Sequence, residues 1–547
     1  MDKHIRLTLK RYNIYSCLSL QIGNKEILFD PAKIRQSDIH TLKPDVIFLS
    51  HESMDHMDPT QIYLLQKKKH CKIFCSIAAA VDLIQYFHHD IDFIDQVIPM
   101  LPELRIIEGG LQIYAGKSDH CNYMYPLVYK IEDPIENISI LHCFDSHLND
   151  EIIELSKGTD LAIIPIGIAK GVSGQTGLKF ALSLHSRYFI TNHFKSEEEL
   201  KAFDQLIASQ PLKERFFLVD WNHQCRIQLQ ARDKIKRVQE RSIDQVIGLL
   251  KDKRALSEQQ LKEYFIAIYK QRSKALHRSL FQQVLGLYEN CTEANKVHVL
   301  MIATFVSLLD SSLIPKSFAS QLKADLSALA TPEKSALKAS VFFFLGVYSQ
   351  QVAHTFFLDE VATQLQPSSD HVQYWMVEFL GRSATSKGEG EKKARELLLQ
   401  VIDIPALYTS LVVRRKIFWE LYRIMTHTPE LAARFFPIFE DGLVDENPDV
   451  RLLAILCFGL ANRVHELTSR HIKNIFSLFD DIEDDVRETA AKIAGKLYRN
   501  HRKEIEKKVR HIQQLLSDKN CHVRFVAKET IEMINPRNFL QKSSNFA

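Results

Sequence analysis

At 547 residues, the chain is too long for one ordinary hydrophobic core, so two or more domains are expected. Its 46% hydrophobic and 25% charged residues describe a folded protein and exclude a disordered one. A formal net charge of +3 is nearly neutral at this size, so nucleic acid is not indicated as a partner by any overall electrostatic footprint.

The amino terminus, MDKHIRLTLKRYNIYS, has no apolar core followed by a small-residue cleavage site, so a secretory signal is not expected. No apolar run approaches bilayer-spanning length; Val341-Phe342-Phe343-Phe344-Leu345 is soon followed by Ser349-Gln350-Gln351. A cytoplasmic protein without a membrane span is the expectation. The nine cysteines are scattered singly, and Cys71 and Cys75 lack zinc-ribbon or redox spacing, so buried reduced thiols are expected.

Up to about Trp221, short β-type runs alternate with loops and helix-like segments. Residues 15–20, 26–29, 46–49, 72–74, 111–114, 127–131, 138–142, 161–165, 188–190 and 216–219 are candidate strands, and 59–69 and 177–185 candidate helices. This interleaving indicates an α/β sandwich. Within it, SHESMDHMD (residues 50–58) follows the apolar run Val46-Ile47-Phe48-Leu49, so a buried strand delivers His51, Asp55 and His56 onto one loop. Imidazoles crowded with a carboxylate suit a transition metal, since neutral nitrogen and anionic oxygen together fit Zn(II), Fe(II) or Mn(II). Further candidate ligands follow other candidate strands: His120 in AGKSDHCNY, Asp145 in ILHCFDSHL and His193 in YFITNHF. Any one of them alone reads as an ordinary loop or core residue. Their recurrence at strand ends points to one shared site.

Asp30, Asp119 and His147 are candidates to orient the imidazoles from behind. Tyr123 and Tyr125 could line the cleft mouth. GVSGQTG (171–177) reads most simply as a βα connection, although its amides could face an anion. Lys67 to His70 look like a helix C-terminus.

Beyond about residue 230 the pattern becomes helical, with 231–253 as a charged amphipathic first helix. Toward the end, GLVDENPDVRLLAILCFGLA, SLFDDIEDDVRETAAKIAGKLY and LLSDKNCHVRFVAKETIEMI place Val450-Arg451, Val486-Arg487 and Val523-Arg524 equivalently, 36 and 37 residues apart. Such a period resembles HEAT-type repeats, whose helix pairs must stack on neighbours to bury their apolar faces. Weaker echoes lie at Val413-Arg414 and Asp370-His371-Val372. SATSKGEGEKK (383–393) reads as a mobile loop, Thr331-Pro332-Glu333 as a helix start, 480–485 as a solvated inter-helix turn and 499–510 as an exposed helix face. Two domains follow, 1–228 and 229–547.

In order, His51, Asp55, His56, His120, Asp145 and His193 resemble the ligand series of the metallo-β-lactamase superfamily, and the 50–58 loop is similar to its H-x-H-x-D-H signature with Ser53 at the second histidine. ILFDPAK (27–33) resembles the strand ending in Asp-Pro of the UlaG-like lactonase branch and its phospholipase-D-like relatives. DLAIIPIGIAKG (160–171), followed by FITNHF, is similar to that branch's Asp-strand-Pro-Ile-Gly block. The resemblance ends near Trp221. It implies a metallo-β-lactamase αββα sandwich, which with the repeats described above makes an α/β plus all-α chain, the sandwich followed by a HEAT-like α-solenoid. It further implies that Asp55, His56 and His193 hold one divalent transition metal, most simply Zn with Fe or Mn as alternatives. Asp145 then bridges to a second metal held by His51, His120 and the Ser53 position. A hydroxyl is a poorer ligand than imidazole, leaving open two metals with water in the gap, one metal, or a degenerate site.

The implied function is a metal-dependent hydrolase using a metal-activated water on an ester-type bond of a small-molecule or phosphodiester substrate, phosphodiester or lactone, with Asp55 also orienting that water. The repeats would take a protein partner. The alternatives are a catalytically degenerate scaffold or interaction protein and a di-iron oxidoreductase on the same fold.

Overall fold

The computed structural model describes residues 4–13, 15–120, 125–167, 175–194, 197–221, 223–230, 235–238, 240–251, 256–327, 335–363, 369–388, 390–404 and 408–534. Tyr123, the glycine segment 171–174 and Thr331-Pro332-Glu333 lie outside the described residues. The chain forms two compact units, Met1–Leu309 and Asp310–Ala547.

In the first unit two seven-stranded sheets face each other. The first contains β1 (His4–Arg11), β2 (Leu18–Ile22), β3 (Lys25–Phe29), β4 (Val46–Phe48), β5 (Lys72–Ser76) and β6 (Val97–Met100). The second contains β7 (Arg105–Glu108), β8 (Leu111–Lys117), β9 (Leu127–Asp133), β10 (Ile138–His142), β11 (Leu161–Pro165), β12 (Tyr188–Asn192) and β13 (Phe216–Phe217). The last strand, β14 (Gln224–Gln230), returns to pair antiparallel with β1, giving the order β14-β1-β2-β3-β4-β5-β6; the second sheet runs β13-β12-β11-β10-β9-β8-β7. In each sheet one half is antiparallel, while β3 to β6 and β10 to β13 are parallel. Parallel strands need crossover helices, which cover the outer face and demand strands buried on both sides. Accordingly Ile47, Phe48, Ile163 and Ile164 are fully buried.

Between the sheets, Phe48 meets Tyr129 at 5.0 Å and Phe29 meets His142 at 4.4 Å between ring centroids. On the outside of the second sheet, Ile152, Phe180 and Ala181 from the helices Asp150–Ser156 and Gln175–Ser183 pack on Val128 and Leu141. The result is an αββα sandwich.

All ten candidate strands exist, with ends shifted by a few residues. Four strands escaped the sequence reading: β1, β6, β7 and β14. In β1, Ile5, Leu7 and Leu9 are buried while charged residues alternate with them, a half-buried antiparallel pattern that lacks a continuous apolar run. The expected helix over 231–253 is shorter, Ile243–Lys251. Before it, Ile235 N–H donates to Asn137 Oδ1 and Val238 N–H to Gln112 Oε1, while Lys236 O accepts from Gln112 Nε2. With its donors claimed by the second sheet, that stretch cannot close helical turns.

The eight described cysteines are free, six of them buried, and burial pushes the Cys71 thiol up to about 12. One stretch, Glu293–Leu313, is long and apolar enough by length and composition to span a bilayer, contrary to the sequence expectation. It is 61% buried within the protein, which fits a core helix.

The second unit is an α-solenoid whose repeats share one electrostatic device. Arg414, Arg451, Arg487 and Arg524 begin successive helices, Leu411–His427, Pro448–Ala461, Asp484–Leu497 and Cys521–Ile534. Each donates to the carbonyl six residues earlier: Tyr408, Asp445, Asp481 and Asp518. The first three also reach a carboxylate of the next repeat, Arg414 to Asp445 at 2.7 Å, Arg451 to Asp481 at 2.7 Å and Arg487 to Asp518 at 2.7 Å. Val413-Arg414 is thus a full member of the series. At Asp370–Ser383 the Arg position is occupied by Gln373.

Asp481 belongs to a half-buried fork with Arg451 rather than to a wholly solvated turn. Residues 383–386 are buried, and Gln350 Nε2 donates to Thr385 Oγ1 at 2.7 Å. The expected mobile loop therefore starts as packed structure.

Arg487→Met leaves the half-buried Asp518 without its ion-pair partner, and should destabilise the repeats by about 1 kcal/mol in denaturant unfolding of the full chain. Burial alone would raise the pKa of Asp518, but the hydrogen bonds and charge of Arg487 hold it below the ordinary aspartate range. The stabilisation is therefore present above the unfolded pKa and lost as pH falls below about 4. The difference between wild type and variant should shrink on acidification; a pH-independent difference would assign the loss to packing instead.

Candidate metal centre

The centre lies where C-terminal ends of strands from both sheets meet. β4 leads into Ser50 and His51, the loop to the helix Pro59–Lys69 carries Asp55 and His56, and β8, β10 and β12 run into His120, Asp145 and His193. The two sheets are tied together here by Leu127 N–H donating to Ser50 O and Tyr129 O–H to Leu49 O.

All six side chains named from the sequence converge, as two groups of three: His51, His120 and Asp145; and Asp55, His56 and His193. Within each, one donor atom per residue lies within 4.8 Å of the others. Asp145 joins the groups, its Oδ2 lying 2.9 Å from His120 Nε2 and 3.4 Å from His56 Nε2. Asp55 Oδ2 is 3.5 Å from His56 Nε2 and 3.9 Å from His193 Nε2.

The imidazoles are oriented from behind. Asp30, fully buried at the end of β3, accepts His56 Nδ1–H at 2.6 Å, the Ser50 hydroxyl at 2.9 Å and the Ser50 amide at 2.9 Å. Because the Ser50 hydroxyl gives its proton to Asp30, it accepts from His51 Nδ1, 2.9 Å away. Both histidines thereby keep Nε2 as a lone-pair donor. Of the other candidates for this role, Asp119 and His147 are joined only through the main chain, His147 N–H donating to Asp119 O, and both are exposed.

Polar atoms that make no hydrogen bond within the protein gather in this same place. His56 Nε2, both ring nitrogens of His193 and Asp145 Oδ1 are buried and unsatisfied, and leaving such atoms bare costs on the order of 1–3 kcal/mol each. Burial holds His51 neutral, its pKa well below the ordinary imidazole value. Burial would raise the pKa of Asp55 and Asp145, but neighbouring imidazoles, His56 foremost, hold both well below the carboxylate range. His56 is pushed well above its ordinary value, because Asp145, Asp55 and Asp30 outweigh its burial. Two carboxylates, Asp55 and Asp145, face the Nε2 of His56 and call for positive charge there. Carboxylates held ionised and unsatisfied inward nitrogens are the donor set a divalent cation takes, the cation displacing any proton on the imidazole, so these residues fit one.

Ser53 belongs to neither group. Its hydroxyl donates to Asp55 Oδ1 at 2.5 Å, leaving Oδ2 toward the histidines.

Four further residues around the centre were given no role by the sequence reading. Ser50 carries the relay just described. Arg11, fully buried on β1, donates from Nε to Val219 O at 2.7 Å and from NH1 to Asn192 Oδ1 at 3.0 Å, bracing the strand that ends at His193. Burial draws its guanidinium down to about 10. Tyr15 O accepts the His193 amide at 3.0 Å, and Lys33 rests on the Tyr15 ring. Backbone strain could have been anticipated at none of them. Asp30, Lys33, Phe144 and His193 all adopt positive φ, 40°, 53°, 50° and 46°, and such left-handed non-glycine residues gather at functional sites.

Sandwich and strand-end histidines together define a metallo-β-lactamase-fold domain, followed by an α-solenoid. The model of the family "Sister chromatid cohesion protein PDS5 protein" matches residues 408–546, within the solenoid. No curated protein matches the chain in sequence. Among solved structures, Igni18, a metallo hydrolase from the archaeon Ignicoccus hospitalis KIN4/I, is 17% identical, covers 41% of this chain and 98% of its own, and has a TM-score of 0.35. The metallo-beta-lactamase fold protein YhfI from Bacillus subtilis is 16% identical over 41% of this chain and 99% of its own, with a TM-score of 0.33. A designed armadillo repeat protein in complex with the peptide (KR)4 is 16% identical over 38% of this chain and 98% of its own, with a TM-score of 0.27.

Asp30→Asn keeps the shape but removes the charge that fixes both imidazoles, so affinity for a divalent metal should fall about 10–100-fold in competition with a chromogenic chelator. An unchanged affinity would reduce Asp30 to a packing residue.

Proposed function

We propose that this chain is a metal-dependent hydrolase acting on an ester-type bond, a phosphodiester or a lactone as the UlaG-like and phospholipase-D-like resemblance implies. The observation that carries the proposal is the convergence of six distant side chains whose unsatisfied atoms, His56 Nε2 foremost, face one another.

Asp55, His56 and His193 would hold one cation, most simply Zn, and Asp145 would share a second with His51 and His120. A divalent cation bound there supplies a Lewis acid that polarises the attacked carbonyl or phosphoryl group and makes water more acidic. The protein's own part is positioning. Asp55 is held well below the carboxylate range, so it accepts a hydrogen bond from the attacking water and orients it rather than retaining its proton. Ser53 fixes that carboxylate through Oδ1.

For the solenoid we propose a protein partner. The match of residues 408–546 to a cohesion protein family and the stack of repeats favour this over a purely structural extension.

His56→Ala should lose at least one equivalent of metal by elemental analysis and lower turnover of bis(4-nitrophenyl) phosphate or of a simple lactone by on the order of a hundredfold or more. Wild-type protein that holds no metal and turns over neither substrate would favour the scaffold reading, and iron with visible absorption would favour the di-iron one. Ser53→His should raise metal content toward two per chain. Unchanged occupancy would mean that position 53 supplies no ligand, in keeping with its bond to Asp55.

A further inference from the structure

Beside His193 the fold holds a cation that no step of the proposed hydrolysis uses. Lys33 Nζ lies 3.2 Å from the Tyr15 hydroxyl and 4.4 Å from the centre of its ring. The ring in turn stands edge-on to His193, 5.9 Å between centroids. Neither group is placed by chance of the surface. Tyr15 is 6% exposed, its amide donates to Asn13 Oδ1 at 2.9 Å, and its carbonyl accepts both Arg11 NH1 at 3.3 Å and the His193 amide at 3.0 Å. Asn13 also donates from Nδ2 to Ala32 O at 2.7 Å, locking the Tyr15 loop to the residue before Lys33. Lys33 itself adopts φ +53°, a left-handed conformation that is unfavourable for a non-glycine residue. The fold keeps that strain and places the ammonium on the ring that contacts His193.

We propose that Lys33 and Tyr15 form the subsite for an anionic oxygen of the substrate, which makes the substrate a phosphodiester rather than a lactone. This rests on the hydrolase reading above. An ammonium and a phenol next to His193 present N–H and O–H donors to an oxyanion. A phosphodiester carries a non-bridging anionic oxygen for such donors already on binding, whereas the ester group of a simple lactone is neutral until it is attacked.

The test is calorimetric titration of inorganic phosphate into full-length wild type, Lys33→Gln, Lys33→Arg and Tyr15→Phe, with metal content measured on the same samples and KM and kcat for bis(4-nitrophenyl) phosphate determined in parallel. Lys33→Gln should weaken phosphate binding roughly tenfold, the range of one charge-assisted hydrogen bond. It should raise KM by a similar factor with kcat little changed, while Lys33→Arg keeps most of the affinity and metal content stays the same throughout. Tyr15→Phe should show a smaller loss of the same kind. If the wild type holds metal and turns over the diester but Lys33→Gln moves neither phosphate affinity nor KM, this subsite is wrong and the hydrolase reading stands. If the chain holds no metal and has no turnover, yet phosphate affinity still depends on Lys33, the hydrolase reading falls and the anion subsite stands. Wild type that binds no phosphate at millimolar concentration overturns the subsite directly.

Discussion

The centre depends on one buried carboxylate. Asp30 leaves β3 in a left-handed turn and spends both oxygens on its neighbours, taking the amide and hydroxyl of Ser50 and the Nδ1–H of His56. Burial by itself raises its pKa, and the charge and hydrogen bond of His56 act against that rise. Those bonds settle which nitrogen of His56 is bare, and through the Ser50 hydroxyl they settle His51 as well. Two imidazoles on one short loop would otherwise be free to choose tautomers and rotate. A single acid at the end of a neighbouring parallel strand removes both freedoms, and the parallel pairing of β3 with β4 brings it into reach.

That arrangement explains why the ligand series was legible in the sequence while much around it was not. Strands buried on both faces read as short apolar runs, and β4, β10 and β11 were placed within a residue. Residues at their C-terminal ends could then be assigned to one rim, because open parallel sheets present their binding groups there. Asp30 was visible because it ends such a run. Ser50, Tyr15 and Arg11 were not, since a serine, a tyrosine and an arginine acquire their roles only through contacts with residues up to 208 positions away, as between Arg11 and Val219. Half-buried antiparallel strands such as β1 and β14 alternate polar with apolar residues and lose their signal for the same reason that they tolerate water on one side. The stretch after β14 looked helical by periodicity, yet Asn137 and Gln112 intercept its backbone donors, a tertiary override that local pattern cannot contain.

In the solenoid the legible feature was also the functional one for folding. Val-Arg at a fixed period marked the helix starts because the arginine joins its own loop carbonyl to the acid of the following repeat. Where the arginine is replaced, at Gln373, the periodicity faded and a different solution takes over. Glu378, Arg382, Lys416 and Glu420 are buried together between the helices Asp370–Ser383 and Leu411–His427, with Arg382 Nε 2.6 Å from Glu378 and Lys416 Nζ 2.9 Å from Glu420. Charges buried at that depth are tolerable only when mutually compensated, so this pair of helices is specified by a closed network where its neighbours use an open ladder.

Ser53 decides how the two halves of the centre differ. With an imidazole at that position the second group would gain a third nitrogen; with serine, the side chain turns to Asp55 and stiffens the first group instead. The first group then has a carboxylate fixed through Oδ1 and two imidazoles, one of them anchored by Asp30. The second has His51 and His120 with Asp145, whose Oδ2 it shares with His56. The asymmetry follows from one hydroxyl: the two groups have the same donor types, two imidazoles and a carboxylate, but only the carboxylate beside His193 is held by a neighbouring hydroxyl. Tyr15 and Lys33 sit against that same group, so under the reading proposed above the anion subsite and the more rigid ligand carboxylate would act together on one substrate.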